Sequence, residues 1–148
     1  MPGLEEVWDQ LLSSGQEIFG IAVDDAHVFK KPGDPMVSGP GRGWVVVRAA
    51  QLETRALLDA MERGDFYAST GVVLDSLDVT AKSMTIRVKA IASSKYRIQF
   101  IGRGGRVLSE VPDASATYTF TGSEGYVRAK VIESNGRVAW CQPVMLAR

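Results

Sequence analysis

The sequence predicts a chain of the α+β class, in which a short α/β part at residues 1–70 precedes an antiparallel β-sandwich at residues 71–148. Two observations predict this division. Before residue 70, apolar residues recur at helical spacing or in unbroken runs, whereas after residue 71 apolar and polar residues alternate between turn residues. The first pattern is typical of helices and of strands covered on both faces, and the second of half-buried antiparallel strands.

The first part contains two predicted helices and two predicted strands. The run Ile18–Val23 predicts a strand that is covered on both faces, and Trp44–Arg48 predicts a second one. A later helix is expected to end at Arg63, with Gly64 in the left-handed position that follows many helices. The N-terminal helix is predicted, with Gly15 as its stop, from apolar residues at helical spacing: Leu4, Val7, Trp8, Leu11 and Leu12.

The second part contains about seven short strands by its alternation, which favours a β-sandwich. The Asn135-Gly136 pair is a strong signal for a hairpin turn. The inward positions of the predicted strands are Met84, Ile86, Val88 and Ala90, then Tyr96, Ile98 and Phe100, then Ala116, Tyr118 and Phe120, and finally Val127, Ala129 and Val131.

Composition narrows the class of protein. Seventeen basic and seventeen acidic residues cancel, so the chain has no strong field for nucleic acid or an acidic membrane surface. Its one cysteine, Cys141, excludes an internal disulfide and a cysteine-rich zinc site. No apolar run approaches the roughly 20 residues that cross a bilayer, and the N-terminus lacks a secretory pattern. We therefore expect a cytoplasmic protein with no nucleic-acid or membrane partner.

The candidate chemistry lies in Gly20–His27, where an apolar run ends in two acids and the only histidine. Side chains at alternate positions of a strand share a face, so Asp25 and His27 should point together while Asp24 points away. A carboxylate and an imidazole on one side of a strand end form a plausible pair of metal ligands. The alternative is that the acids cap a turn and the histidine is structural.

Four stretches together resemble the C-terminal half of PHP-domain metal-dependent phosphoesterases, in particular the branch with carbaryl-type hydrolases. The stretches are Trp8–Leu12 through Gly20–His27, Gly43–Ala49, Gly64–Gly71 and Gly136–Pro143. The resemblance implies that residues 1–70 are the last segment of a distorted (β/α) barrel, whose strand ends hold two or three divalent metals, and that a β-sandwich tail follows.

The resemblance also implies roles for individual residues. The family's Asp-x-His pair supplies the last protein ligands, and it maps onto Asp25 and His27. Asp24, Ser69 and Thr70 map near the rim of the active site, although the two hydroxyls are equally suited to fixing a turn through hydrogen bonds to the backbone.

The chain departs from the family in its ligand count. The opening His-x-His motif and the further histidines have no counterpart, because the chain has one histidine. Each metal takes about four to six ligands, so Asp25 and His27 form a vestigial site. No cofactor is assigned firmly, and weak binding of Mn, Zn or Fe is the most that this pair predicts.

Three functions are compatible with these residues. The leading interpretation is a detached or relic C-terminal part of a PHP-type hydrolase, inactive alone and acting as a binding or assembly module. The second is a hydrolase completed by a chain that supplies the missing barrel. The third is a β-sandwich protein that binds a small molecule between its sheets, using Tyr96, Tyr118 and Trp140, although these aromatic residues also suit a core.

The apolar runs further predict a homo-oligomer, with a dimer as the expected state. The runs Ile18–Val23 and Trp44–Val47 need cover on both faces, and two helices supply little of it. The alternative is that the long loop Asp24–Gly43 folds back over this surface within one chain.

Overall fold

The computed structural model describes residues 1–30, 34 and 36–146. Parts of the predicted loop Asp24–Gly43, namely residues 31–33 and 35, lie outside the described residues. The α-helices are α1 (Leu4–Ser13) and α2 (Thr54–Glu62), and one 3-10 turn spans Arg103–Gly105. The strands are β1 (Trp44–Val47), β2 (Phe66–Ser69), β3 (Leu74–Val79), β4 (Ser83–Val88), β5 (Tyr96–Gly102), β6 (Arg106–Val111), β7 (Ser115–Thr119), β8 (Tyr126–Glu133) and β9 (Val138–Met145).

The strands form two antiparallel sheets that share one hydrophobic core. The large sheet has the order β1-β2-β9-β8-β5-β6, and the small sheet has the order β3-β4-β7. The core contains Met84 and Ile86 of the small sheet together with Ile98, Phe100 and Val131 of the large sheet. We call the face of the large sheet toward this core its inner face and the opposite face its outer face. The α+β class and the antiparallel sheets are thereby confirmed.

The alternation in the second half predicted its strands and core well. Seven strands follow residue 71, and every predicted inward position but Ala90 is buried or half-buried. The hairpin between β8 and β9 is also present. Gly136 has a φ of 88° and its N–H donates to the oxygen of Glu133 at 2.9 Å, which is the geometry of a three-residue loop closed by a left-handed glycine.

Both predicted helices are present. Gly64 follows α2 with a φ of 73°, as its place in the sequence predicted. Neither helix among the described residues has the length and apolar character needed to cross a bilayer.

The predicted strand Ile18–Val23 is not a strand. Residues 16–28 have no regular secondary structure, and Ile21 and Val23 are exposed. The apolar run predicted burial, but the outer face of the large sheet is covered here by alternate residues only, such as Phe19, whose ring packs edge-on against Phe66.

The strands β1 and β2 also differ from the predicted α/β pattern. A strand–helix–strand order normally gives parallel neighbours, but β1 and β2 are antiparallel and β2 pairs with β9 of the large sheet. The reason is that the chain leaves β1 and enters β2 at the same end, where the N–H of Arg48 donates to the oxygen of Asp65 at 2.8 Å. Thus a barrel segment is not shown, and the large sheet is continuous across residue 70. The division into units 1–70 and 71–148 stays a prediction.

The strand β1 is also less covered than its sequence predicted. Trp44 and Val46 are each 37% exposed. They share a face with their antiparallel neighbours Ser69 and Tyr67, and Tyr67 belongs to the core, so they lie on the inner face. The cause is the difference in size between the sheets: the small sheet ends at β3 and leaves the inner face of β1 uncovered.

Candidate functional site

The segment that carries the predicted metal ligands is fixed to the sheet by a side chain rather than by a neighbouring strand. The N–H of Gly20 donates to Oε1 of Gln142, and Nε2 of Gln142 donates to the oxygen of Gly20, both at 2.8 Å. Gln142 is buried in β9. The side-chain amide of Gln142 thus pairs with both backbone polar groups of Gly20, as a neighbouring strand would. This contact anchors the segment just before Asp24 and Asp25.

Asp24 fastens the segment to the loop that precedes β1. Its carboxylate accepts the N–H groups of Gly41 at 2.9 Å, Arg42 at 2.5 Å and Gly43 at 2.7 Å. Successive backbone N–H groups that converge on one anion form a nest. The hydrogen bonds from Gly43 and Gly41 hold the pKa of the Asp24 carboxyl below its ordinary value of 3.8. Asp24 therefore has a clear structural role as the anchor of this loop.

Asp25 and His27 lie beyond these two anchors and point into solvent. Their side chains are 80% and 73% exposed, and Nδ1 of His27 is 3.9 Å from Oδ1 of Asp25. The same Nδ1 lies 2.7 Å from the backbone oxygen of Asp25, a residue with a left-handed φ of 51°. Because a carbonyl oxygen only accepts, the proton of the neutral ring is placed on Nδ1, and in that tautomer Nε2 has the lone pair that binds metals.

Few further metal-ligating side chains lie near Asp25 and His27. Within the described residues, no three His, Cys, Asp or Glu side chains come together as a metal-binding group. Asp24, the nearest acid in sequence, is bound to the loop. The metal role of Asp25 and His27 stays a prediction.

The two hydroxyls near the predicted rim are hydrogen-bonded to the backbone. Ser69 is fully buried; its Oγ donates to the oxygen of Val72 at 2.7 Å and accepts the N–H of Gly71 at 2.9 Å. Oγ1 of Thr70 accepts the N–H of Val138 at 2.9 Å. These contacts fix the turn after β2, which is the second of the two roles that the sequence indicated.

A cleft of about 400 Å³ lies where the ends of β1 and β2 meet β3. Nη1 of Arg48 crosses it to the oxygen of Leu77 at 2.9 Å, and Nη2 lies 3.3 Å from Oδ1 of Asp65. Nε of Arg63 donates to Oδ2 of the same carboxylate at 3.0 Å. The sequence contains no signal of this cleft, because Arg48, Asp65 and Arg63 come together only through the pairing of β1 with β2.

The three aromatic residues proposed for a pocket between the sheets do not share one. Tyr96 is buried in the core, and Tyr118 stacks on Phe100 with ring centroids 5.4 Å apart. Trp140 is directly opposite Lys130 and alternates with the core residues Ala139 and Cys141, so it lies on the outer face. Trp140 is therefore on the opposite side of the large sheet from Tyr96 and Tyr118.

A buried ion pair joins α1 to the outer face, and sequence reasoning missed it entirely. Arg128 of β8 is fully buried and binds Asp9 of α1 in a bidentate manner, through Nε to Oδ1 and Nη2 to Oδ2, both at 2.7 Å. The hydroxyl of Tyr126 donates to the same Oδ1 at 2.7 Å. Burial and then this hydrogen bond raise the pKa of Tyr126 to about 12.

Other contacts extend this cluster. The guanidinium carbon of Arg128 is 4.7 Å from the centre of the Trp8 ring, a cation–π geometry. Nζ of Lys130 binds Oε1 of Glu5 at 2.6 Å. The cluster thus attaches α1 to the outer face of the large sheet. Arg128 occupies an outward position of the alternation Val127, Ala129 and Val131, where a charged residue usually faces solvent, so its burial has no signal in the sequence.

A second buried carboxylate closes the turn before β8. Oε1 of Glu124 accepts the N–H of Thr121 at 2.6 Å and the hydroxyl of Tyr118 at 3.0 Å. Burial acts to raise the pKa of Glu124, but the hydrogen bonds from Thr121 and from its own backbone N–H outweigh it and lower the pKa to about 2. Glu124 therefore stays ionised although its side chain is buried.

Comparison of the chain with protein-family models, with curated proteins and with solved structures gave no match.

Proposed function

We propose that this chain is the C-terminal part of a PHP-type metal-dependent hydrolase, inactive alone, and that it acts as an assembly module for a chain that supplies the rest of the barrel. In this proposal the two sheets are the family's β-sandwich tail, and residues 16–28 correspond to the last barrel segment. The observation that carries the proposal is the exposed face of that segment.

This face consists of the odd-numbered residues Ile21, Val23, Asp25 and His27. All four are exposed, with Ile21 at 62% and Val23 at 67%, whereas the even-numbered residues between them are half-buried. Two apolar side chains followed by a carboxylate and an imidazole form a surface that is suited to a neighbouring strand or helix. Covering Ile21 and Val23 would remove apolar area from water at about 25 cal/mol per Å².

The same contact would bring Asp25 and His27 to the edge of the partner. Their chemistry suits a divalent metal, because a carboxylate and an imidazole with a free Nε2 are common ligands of Mn, Zn and Fe. Two ligands are too few for a site of their own. Since a metal would supply Lewis acidity and an activated water only in a completed site, we expect catalysis to require the partner's ligands.

The proposal is tested by complementation. The chain is mixed with the N-terminal part of a carbaryl-type PHP hydrolase, expressed separately without its own last segment and tail, and the mixture is separated by size exclusion. We expect the two chains to elute together. The variant Ile21→Lys/Val23→Lys should elute alone, because it places charges on the proposed contact face.

The matched control is Ile91→Lys, which changes an exposed isoleucine outside residues 16–28. It should elute with the partner as the wild-type chain does. Separate elution of the wild-type chain, or an equal loss with Ile91→Lys, would contradict the proposal.

A further inference from the structure

The four edge strands of the described sheets differ sharply in their chemistry. Polar or charged side chains occur on β3, β6 and β7, including Asp75 and Asp78 on β3 and Arg106 and Glu110 on β6. Such residues are the usual protection against pairing with another sheet. The edge strand β1 has the sequence Trp-Val-Val-Val and no such protection.

The open side of β1 presents backbone groups in a defined pattern. The N–H of Arg48 points toward β2, where it donates to Asp65. Successive residues of a strand alternate, so the backbone groups of Val46 also point toward β2, whereas those of Val45 and Val47 point to the open side. Within the described part of the chain, β1 pairs with β2 alone, and no other backbone group bonds to Val45 or Val47.

From this edge we infer that the chain forms a two-fold dimer in which β1 pairs antiparallel with β1 of a second copy, joining the two large sheets. This inference does not use the family resemblance, and β1 is a different surface from the segment 16–28. A second copy suits the edge because an uncharged antiparallel strand is complementary to itself, as a two-fold interface requires.

The geometry selects one register. The inner faces of both sheets lie on one side only if inner residues oppose inner residues, so the axis passes through a residue. Within β1, axes at Val45 and Val46 give the longest overlap of the two strands. An axis at Val45 would pair Val47 with the partner's Gly43, but the N–H of Gly43 is already donated to Asp24. An axis at Val46 instead lets Val45 and the partner's Val47 exchange both of their hydrogen bonds, and symmetry repeats the pair.

This register also matches the ends of the strand. Trp44 then lies opposite the partner's Arg48 on the inner face, where the indole can pack on the aliphatic part of a side chain whose guanidinium is held by Leu77 and Asp65. A parallel pairing would instead place the two Arg48 side chains together. The exposed rings of Trp44 and the side chains of Val46, left uncovered by the small sheet, would pack against each other across the axis.

The first test measures the association of the full chain by sedimentation velocity at micromolar concentration. We expect the wild-type chain to be a dimer. Val46→Lys places two like charges opposite each other and should raise the dissociation constant about tenfold or more. Val107→Lys is the matched control, since Val107 is 46% exposed on β6, the other edge of the same sheet, and it should associate as the wild type does.

The second test does not depend on whether Val46→Lys folds. In the proposed register, Val46 and the partner's Val46 form a non-hydrogen-bonded pair with Cα atoms about 4.5 Å apart, close enough for a disulfide. Oxidation should therefore convert Val46→Cys to a covalent dimer, whereas Val45→Cys, on the opposite face, should remain largely uncrosslinked. A monomeric wild-type chain, a dimer that Val46→Lys leaves intact, or equal crosslinking of both cysteine variants would overturn the inference.

Discussion

Asp9 and Arg128 are 119 residues apart in sequence and form a buried, bidentate ion pair that attaches α1 to the outer face of the large sheet. The pair leaves Nη1 of Arg128 buried without a hydrogen-bond partner among the described residues. The Arg128 charge is therefore compensated almost wholly by Asp9, with Glu5 at 3.6 Å as a weaker contributor.

Removal of one partner of this pair should be strongly destabilising. We expect Asp9→Ala to lower the free energy of unfolding by about 3–5 kcal/mol, because Arg128 would remain buried without its counter-ion. The double variant Asp9→Leu/Arg128→Met should recover most of that loss. Urea denaturation measures both effects, with the exposed helical variant Gln10→Ala as a control within about 0.5 kcal/mol of wild type. A loss below 1 kcal/mol in Asp9→Ala would show that water compensates Arg128.

The nest around Asp24 predicts a local effect of mutation. Asp24→Ala should accelerate hydrogen exchange at the amides of Gly41, Arg42 and Gly43, because each loses its acceptor. Asp25→Ala, which changes the neighbouring exposed acid, should leave these amides protected. Exchange measured by NMR distinguishes the two variants, and equal protection in both would contradict the role given to Asp24.

Glu124 predicts a pH dependence of stability. Its pKa in the folded chain, about 2, is below the ordinary value of 4.5. A lowered pKa contributes stability that is present above pH 4.5 and is lost as the pH falls toward 2. Glu124→Gln should therefore lose less stability than the wild type over this interval. Urea midpoints at several pH values measure the difference, and Glu62→Gln, at an exposed helical position, should keep the wild-type slope. Parallel curves for Glu124→Gln and wild type would refute the assignment.

Gly20 predicts a steric effect. A Cβ at this position would lie 2.9 Å from the Trp8 ring, which is held by a hydrogen bond from Nε1 to the oxygen of Ile18 at 2.8 Å. We expect Gly20→Ala to destabilise the fold by about 1–3 kcal/mol. Gly39→Ala, where a Cβ meets no atom within 4 Å, is the control for thermal denaturation. A melting temperature of Gly20→Ala equal to that of the control would mean that Trp8 moves freely.

The elements that sequence predicted correctly are those with a local signal. The alternation of Val127, Ala129 and Val131 reports which face of β8 is buried, and the glycine of Asn135-Gly136 suits a left-handed turn position. The strand prediction for Ile18–Val23 was wrong because an apolar run indicates only a tendency to be buried. It does not show whether a neighbouring strand is present to hydrogen-bond with it. At Gly20 that neighbour is a glutamine side chain, which no pattern of backbone spacing predicts.

The contacts of the candidate site were less predictable from the sequence than the strands and turns. Asp25 and His27 are exposed while Asp24 is half-buried, as the predicted two-residue period requires, although Asp25 itself is not extended and has a φ of 51°. The partner of Asp24 did not follow from the sequence, because a nest depends on the turn at Gly41–Gly43. The pair Asp9–Arg128 and the cleft charges Arg48, Asp65 and Arg63 depend on which distant elements meet, and a single sequence contains no direct signal for that.

We propose that Asp25 and His27 complete a metal site only in an assembly. The direct measurement is a calorimetric titration of Mn²⁺ into the chain alone and into its complex with the N-terminal part of a carbaryl-type PHP hydrolase. We expect weak binding or none by the chain alone and tight binding by the complex. His27→Ala should weaken the binding by the complex at least tenfold, and the control Asp75→Asn should leave it unchanged. Tight binding by the chain alone, or a complex whose affinity for Mn²⁺ is unaffected by His27→Ala, would contradict it.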